Sequence, residues 1–178
     1  MSTILGKIHG YAVYEQQHAI YNQFHKIRYF IDEKKFNEMK RFELNSGDLI
    51  MSCSGTMGRV AIVPKGIEKG IINQALLKLS PKNKLLVEYL KIWMESNDFQ
   101  NQIAKHSQGA AIKNVASVKV LKEIELPIPQ ITEQNKIIKK SNSFASKTKQ
   151  LEKIYQQKIA DAEELKKSIL QKAFNGEL

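Results

Sequence analysis

Residues 133–174 read EQNKIIKKSNSFASKTKQLEKIYQQKIADAEELKKSILQKAF, and this stretch decides the architecture of the chain. It contains no proline and no glycine, while Gly176 follows where a helix C-cap belongs. Its apolar side chains recur at spacings of three, four and seven, which is typical of a helix with one apolar stripe. The stripe consists of Leu151, Ile154, Tyr155, Ala162, Leu165 and Ile169, with Phe144 before it and Ala173 after it. We therefore predict one long helix, with Thr132 as its N-cap.

The predicted helix is longer than the domain that precedes it. At about 1.5 Å per residue it extends about 60 Å, whereas a globular domain of roughly 130 residues is only about 30 Å across. Most of the helix should therefore project, and its apolar stripe then needs a partner helix outside its own domain. Lys158 interrupts the stripe, which weakens the heptad pattern and favours a defined register. The alternative is a helix that folds back on its own domain.

Residues 1–131 carry a different pattern, in which short apolar runs alternate with turn signals. Residues 32–44 predict a short helix with Asp32 as N-cap, and residues 84–104 predict a longer one. Strands are predicted within 11–31 (one or two, with a polar turn between) and at 49–51, 60–63, 70–79 and 123–128. We expect an α/β (mixed α+β) globular domain at residues 1–131 and the long helix at residues 132–178.

The charge of the chain is strongly positive. Its 28 basic and 18 acidic residues give a formal net charge of +10. Both parts share the excess, because residues 133–178 hold 10 basic and 6 acidic residues, a net of +4. Only Arg28, Arg41 and Arg59 are arginines, and the other basic residues are lysines. This balance favours a nucleic-acid partner over an acidic protein, and a lysine-rich surface that merely confers solubility is the alternative.

Cysteine usage and hydropathy indicate the cellular setting. Cys53 is the single cysteine, so no intrachain disulfide can form. No apolar run approaches the roughly 18 residues of a membrane span, and the first residues lack the pattern of a signal peptide. We therefore expect a cytoplasmic protein without a membrane partner. Cys53 is interpreted as a half-buried strand residue rather than as a nucleophile.

No motif in the sequence predicts catalysis or metal binding. The loop GTMG at residues 55–58 lacks the spacing and the following helix of a P-loop, so a strand-turn-strand is favoured. The four histidines show neither paired helical spacing nor an accompanying cysteine cluster, which zinc sites need. No nucleophile elbow, kinase motif or dinucleotide fingerprint occurs. We expect no catalytic residue, no metal and no cofactor in this chain.

Two segments suit contacts with DNA. Residues 14–21 interleave aromatic side chains with glutamine and histidine, which hydrogen-bond base edges. Residues 108–114 form a polar loop with one lysine, suited to a phosphate or groove contact. The alternative for both is an exposed hairpin or loop without a role in binding.

A series of short motifs runs along almost the whole chain. They are GDLI at 47–50, SGTMGRVAIVP at 54–64, INQAL at 72–76, LPIP at 126–129, EQ at 133–134 and LKKSILQKAFNGEL at 165–178. On these motifs the chain resembles the specificity subunit of type I restriction-modification systems. The resemblance implies binding to double-stranded DNA and recruitment of methyltransferase and restriction subunits. Catalysis, S-adenosylmethionine and ATP then belong to those partner subunits.

The resemblance also implies an architecture. Specificity subunits of this family carry two target recognition domains, each followed by a conserved helix, and the two helices pack antiparallel as a spacer. With one domain at residues 1–131 and one helix at residues 132–178, this sequence resembles a half-length form. A homodimer through antiparallel helices would then read two inverted half-sites, because protein symmetry is mirrored in the DNA.

Three hypotheses follow for the function. The main one is a non-catalytic specificity subunit that reads DNA and recruits methyltransferase subunits. The second is a DNA-silent assembly factor that binds methyltransferase or a full-length specificity subunit through its helix, and an enzyme is the third. Gly55 and Gly58 are expected to shape a loop backbone. The candidate DNA contacts are Gln16, Gln17, His18, Arg28, Ser54, Thr56, Gln108, Lys113 and Asn114.

Overall fold

The computed structural model describes residues 10–107 and 118–177. The chain divides into two compact units, residues 1–135 and residues 136–178. The strands are β1 (Tyr11–Tyr14), β2 (Tyr29–Ile31), β3 (Leu49–Ser52), β4 (Val60–Ile62), β5 (Gly70–Ile72) and β6 (Leu76–Leu79). The helices are α1 (Gln16–Tyr21), α2 (Glu33–Glu38), α3 (Val87–Met94), α4 (Asn97–Ser107), α5 (Val118–Glu123) and α6 (Ile131–Phe174), with a short 3-10 helix at Lys40–Phe42. The expected mixed α/β fold followed by a long helix is confirmed.

Two three-stranded sheets form the first unit. In one sheet β1 lies between β2, its antiparallel neighbour, and β5, its parallel neighbour, so that Ala12 is paired with Gly70. In the other sheet β3 lies between β4 and β6, and both pairings are antiparallel. Residues 70–79, predicted as one strand, form two strands separated by residues 73–75. The two strands belong to different sheets, and the Asn73 side chain accepts a hydrogen bond from the N–H of Ala75 at 3.1 Å.

The central strand β3 supplies both hydrophobic clusters of the core. All four of its residues are buried, and neighbouring side chains point to opposite faces, as a strand requires. Ile50 packs in the cluster that contains Tyr14 and Phe24 from the other sheet and its flanks. Leu49 and Met51 pack in the second cluster, which α3 and α4 complete with Leu90, Met94, Phe99 and Ile103. The short apolar run that predicted a strand is therefore a strand buried on both faces.

The first strand-rich segment differs from its prediction. We expected residues 11–31 to hold strands and a polar turn, but α1 occupies Gln16–Tyr21. The helix forms because Glu15 and His18 make a reciprocal capping box at its N-terminus. Asn22 then ends the helix in the left-handed conformation, with φ of +52°. The strands expected within residues 11–31 are confirmed by β1 and β2, whereas the polar turn expected between them is replaced by α1 and the residues that follow it.

The later helices and the last predicted strand also differ in part. Residues 84–104 form two helices, α3 and α4, rather than one, with a break at Glu95 and Ser96. The strand predicted at residues 123–128 is wrong, since α5 ends at Glu123 and no regular structure follows up to residue 130. Pro127 and Pro129 lack the N–H groups that a strand pairing needs. The prediction for Asp32 is confirmed, because its carboxylate accepts a hydrogen bond from the N–H of Lys35 at 2.7 Å.

The long helix runs from Ile131 to Phe174 as one continuous element. Thr132 lies inside its first turn, and the N-cap position falls to Gln130, so that prediction is wrong by two residues. The predicted end is confirmed: Gly176 donates to the carbonyl of Ala173 at 3.2 Å, and Glu177 donates to that of Lys172 at 2.9 Å. These two bonds form a Schellman motif. Across the described ranges, no helix is long and apolar enough to cross a membrane.

Candidate functional site

The loop between β3 and β4, residues 53–59, is closed by one buried serine. The hydroxyl of Ser52 donates to the carbonyl of Thr56 at 2.6 Å and accepts from the N–H of Arg59 at 3.1 Å. The carbonyl of Ser52 accepts from the N–H of Gly58 at 2.9 Å. Since Ser52 is fully buried, water does not compete for these bonds. The loop therefore has a fixed conformation with Thr56 exposed near its tip.

Two glycines give the same loop its turns. Gly55 has φ of +62° and Gly58 has φ of +72°, a conformation that glycine adopts without steric cost. Both have the backbone geometry that the predicted loop-shaping role requires. Gly58 also lies against the side chain of Gln100, whose amide donates to the carbonyl of Gly58 at 3.1 Å and to that of Met94 at 2.7 Å. The loop is thus attached to α3 and α4.

Helix α1 borders the loop on its other side. The side-chain carbonyl of Gln16 accepts a hydrogen bond from the N–H of Ser54 at 3.3 Å. Two predicted contact residues from distant parts of the sequence are therefore brought together, and both are half-buried. Gln17 lies on the same helix, and its amide donates to the Glu15 carboxylate at 3.4 Å. The structure places Gln16, Gln17, Ser54 and Thr56 on α1 and the adjoining loop.

Arg28 is held beside the start of α1 by a bidentate salt bridge to Glu15. Its Nε and Nη2 donate to the two carboxylate oxygens of Glu15 at 2.9 Å and 2.8 Å. The pKa of the Arg28 guanidinium is raised because Glu15 accepts its hydrogen bonds and attracts its charge. The guanidinium also lies over the ring of Tyr29, 5.5 Å from its centroid. Arg28 is exposed, and two of its five N–H donors serve Glu15.

His18 does not belong to an exposed contact surface. The side chain is fully buried, with Nδ1 accepting from the N–H of Glu15 at 2.8 Å and Nε2 lying 3.1 Å from the carbonyl of Lys26. Its ring therefore caps α1 and joins this helix to the segment before β2. The prediction that His18 contacts DNA is wrong, because a side chain with no exposed surface and two satisfied nitrogens cannot reach a base.

A groove of about 530 Å³ lies between α1, the loop and the pair α3–α4. Its lining includes Asn22, Thr56, Arg59, Lys91 and Gln100. The ammonium of Lys91 is paired with the Glu95 carboxylate at 2.7 Å, so the two charges offset each other. The guanidinium of Arg59 is exposed and gives the groove its net positive charge. Sequence reasoning missed Arg59 as a site residue, although it was one of only three arginines.

The remaining predictions concern three DNA contacts, the single cysteine and the expected lack of a metal site. Gln108, Lys113 and Asn114 lie outside the described residues. Cys53 is half-buried as expected, but it directly follows β3 rather than lying in the strand, and burial raises the pKa of its thiol. Within residues 10–107 and 118–177, no three histidine, cysteine or carboxylate side chains gather as a metal site would require.

The apolar stripe of α6 is exposed along its length. Leu151, Ile154, Tyr155, Leu165 and Ile169 each expose between 46% and 60% of their surface. Ala162 is exposed as well. A helix with this much apolar surface in water normally has a partner, because burying it is favourable.

Four further exposed apolar residues of α6 escaped the heptad reading, namely Ile131, Ile159, Leu170 and Phe174. An eleven-residue spacing would have found two of them. It relates Leu151 to Ala162 and Ala173, Ile154 to Leu165, and Ile159 to Leu170. An eleven-residue repeat favours helices that pack nearly straight or with slight right-handed supercoiling.

A small mixed α/β domain with a fixed polar loop, followed by a long helix with an exposed apolar stripe, is typical of the class of binding proteins rather than of enzymes with an enclosed active site. Comparison with known protein families identifies one that matches most of the chain. The family described as the type I restriction modification DNA specificity domain matches residues 9–161. The chain belongs to this family.

Two relatives carry the same assignment. The chain is 32% identical over 142 residues to the type I restriction enzyme EcoBI specificity subunit of Escherichia coli, which covers 79% of this chain and 30% of that protein. It is 30% identical over 96 residues to the EcoDI specificity subunit of Escherichia coli, covering 54% of this chain and 21% of that protein. The chain thus spans less than a third of the length of these relatives.

Solved structures agree on the fold. A chain in a structure of a type I R-M system superimposes with a TM-score of 0.71 at 18% identity, covering 95% of this chain and 39% of that one. The HsdS subunit from Thermoanaerobacter tengcongensis superimposes with a TM-score of 0.52 at 17% identity, covering 61% of this chain and 28% of that one. The mixed α/β domain followed by a long helix is therefore a fold shared with these two chains.

Proposed function

We propose that this chain is a DNA-reading specificity subunit of a type I restriction-modification system. The family match over residues 9–161 carries the proposal, because it includes the mixed α/β domain and most of α6. Residues 1–131 serve as the target recognition domain and residues 132–178 as the helix for dimerisation, spacing and methyltransferase docking. The net charge of +10 supports a polyanionic partner.

The proposed reading surface consists of α1 and the β3–β4 loop. Gln16 and Gln17 have amide groups suited to base edges, and Thr56 is exposed on a loop whose conformation is fixed. Preorganised contacts cost less ordering entropy on binding. With His18 removed, the proposed contacts on this surface are Gln16, Gln17, Ser54 and Thr56, and those proposed outside it are Arg28, Gln108, Lys113 and Asn114.

The helix supplies the proposed assembly function. A second copy of α6, packed antiparallel, would cover the exposed stripe and place two recognition domains on inverted half-sites. Methyl transfer, ATP use and cleavage are assigned to methyltransferase and restriction subunits in the cytoplasm. The chain itself then acts as a non-catalytic subunit that requires neither metal nor cofactor.

Reconstitution with its methyltransferase tests this proposal. Methylated sites mapped across a genome should reveal one motif made of two inverted half-sites with a constant spacer. The purified complex should bind that duplex with an affinity that falls steeply as salt rises, because phosphate contacts release counterions. Assembly with methyltransferase without any protected or methylated DNA would instead establish the DNA-silent assembly factor.

A further inference from the structure

The three arginines of the chain have different surroundings. Arg28 is bound to Glu15 through two hydrogen bonds. Arg41 lies over the ring of Phe42, 4.5 Å from its centroid. Arg59 has neither kind of partner: in the parts of the chain that the structure describes, no carboxylate lies within ion-pair distance of it and no aromatic ring lies under it. Its guanidinium is therefore available to an anion from outside.

The backbone of Arg59 is nevertheless fixed on both sides. Its N–H donates to the buried hydroxyl of Ser52 at 3.1 Å, and its carbonyl accepts from the N–H of Ser52 at 2.9 Å. The next residue, Val60, is buried in β4 and paired with Met51. The Arg59 guanidinium therefore extends from a backbone that is fixed at the start of β4, which is the arrangement that preorganised binding requires.

The surroundings of Arg59 favour an anion with several acceptor oxygens. The groove next to it contains the hydroxyl of Thr56 and the amide group of Asn22. Lys91 and Glu95 offset each other, so Arg59 supplies the uncompensated charge. Thr56 lies closer to the tip of the loop, while Arg59 lies at its stem, where β4 begins. If the tip enters a groove of the duplex, the stem meets the sugar-phosphate backbone beside it.

We propose that Arg59 binds one backbone phosphate of the target duplex and that Gln100 is a positioning residue for it. This inference rests on the proposed DNA-reading function and adds a contact to it. A guanidinium binds phosphate through parallel N–H donors, which fixes orientation as well as supplying charge. The phosphate contact would set how the β3–β4 loop lies against the bases without itself reading them.

Substitution of Arg59 in the reconstituted complex tests the contact. Dissociation constants are measured for the target duplex and a scrambled duplex between 50 and 200 mM salt, a range in which phosphate contacts dominate the change in affinity. Arg59→Ala should weaken both duplexes by a similar factor, and the slope of log affinity against log salt should fall by about 0.9. Arg59→Lys should restore most of the slope, because it keeps the charge.

Arg41→Ala is the matched control, since it removes the same charge from another exposed arginine. Its salt slope should stay close to that of the wild type. Loss confined to the target duplex with an unchanged slope would overturn the phosphate assignment, as would equal behaviour of Arg59→Ala and Arg41→Ala. A wild-type complex that binds no duplex would overturn the proposed function itself.

A double-mutant cycle tests the role of Gln100. Gln100→Ala removes the hydrogen bonds to Gly58 and Met94 that attach the loop to α3 and α4. If Gln100 acts through Arg59, adding Gln100→Ala to Arg59→Ala should cause little further loss of affinity. Fully additive losses would show a general structural role and overturn the positioning assignment.

Discussion

The side-chain carbonyl of Gln134 accepts a hydrogen bond from the backbone N–H of Leu86 at 2.9 Å, which joins the first turn of α6 to the residue before α3. The amide of Gln134 donates to the carbonyls of Lys84 and Pro129, each at 2.8 Å. The side chain is fully buried, and both of its donors and its acceptor are in use. The helix therefore begins at a fixed point of the first unit.

Replacing Gln134 should destabilise the chain. Gln134→Leu keeps most of the volume but leaves one N–H and two carbonyls without partners, so we expect a loss of about 2–4 kcal/mol in the free energy of unfolding. Gln150→Ala, at an exposed position of the same helix, should change it by less than about 0.5 kcal/mol. Urea denaturation measures both, and equal effects would contradict the role assigned to Gln134.

The two glycines of the β3–β4 loop should differ in their tolerance of alanine. At Gly55 a Cβ would meet no described atom within 4 Å, so Gly55→Ala should cost only the strain of positive φ, about 1 kcal/mol. At Gly58 a Cβ would lie 2.9 Å from the side-chain oxygen of Gln100. Gly58→Ala should therefore add the loss of the Gln100 bonds and cost about 2–3 kcal/mol in total. Urea denaturation of both variants measures these costs. A smaller cost at Gly58 than at Gly55 would show that the Gln100 hydrogen bonds do not hold the loop in place.

A charge in the stripe of α6 should dissociate the proposed dimer. Leu165→Glu places a carboxylate in an apolar seam, and we expect the association constant to fall at least 100-fold, since burying an unpaired charge is strongly unfavourable. Ala160→Glu introduces the same charge on the opposite side of the helix and should leave the association unchanged. Sedimentation at micromolar concentration measures both. A wild-type monomer with its helix intact would refute the homodimer.

Stability at alkaline pH should depend on Tyr14. Burial, together with the charge of Glu68, raises the pKa of the Tyr14 hydroxyl to about 12 from 10.0. The unfolded chain releases this proton first as pH rises, so the stabilising contribution is complete below pH 10 and is lost between about pH 10 and 12. The loss amounts to about 1.4 kcal/mol for each pH unit in that window.

Tyr14→Phe is the variant that isolates this effect. It lacks the titrating hydroxyl, while every other titratable group is common to both proteins. The difference in the free energy of unfolding between wild type and variant should therefore shift in favour of the variant above pH 10. A difference that stays constant from pH 8 to 11 would show that the Tyr14 hydroxyl does not titrate with folding.

The sequence predicted those elements whose caps and apolar runs depend only on residues that are neighbours along the chain. Asp32 caps its helix, Gly176 ends α6, and the apolar runs at β3 and β4 are strands. The helix α1 was missed because its aromatic and β-branched neighbours favour strands, whereas the capping bonds of His18 depend on a buried ring that only the tertiary structure provides.

The site was predictable to a smaller extent. Gln16 and Ser54 were both named as contacts, but their hydrogen bond joins residues that only the fold brings together. The ion pair of Arg28 with Glu15 has the same origin, since it crosses the gap between α1 and β2. Arg59 was not predicted as a site residue because what distinguishes it is that no described carboxylate or aromatic ring pairs with its guanidinium. A sequence alone does not show which arginines form ion pairs within the fold.

The two sheets should form at different times as the chain folds. β3, β4 and β6 come from one continuous stretch, so their pairing closes only short loops. β1 has to wait for β5, because Ala12 is paired with Gly70, far along the chain, and such contacts form slowly. β1 and α1 are synthesised before β5, so the parallel pairing of β1 cannot form until β5 has emerged from the ribosome. The proposed reading surface is then completed by a late docking step, so partly folded chains would carry the β3–β4 loop without the docked helix that supplies Gln16.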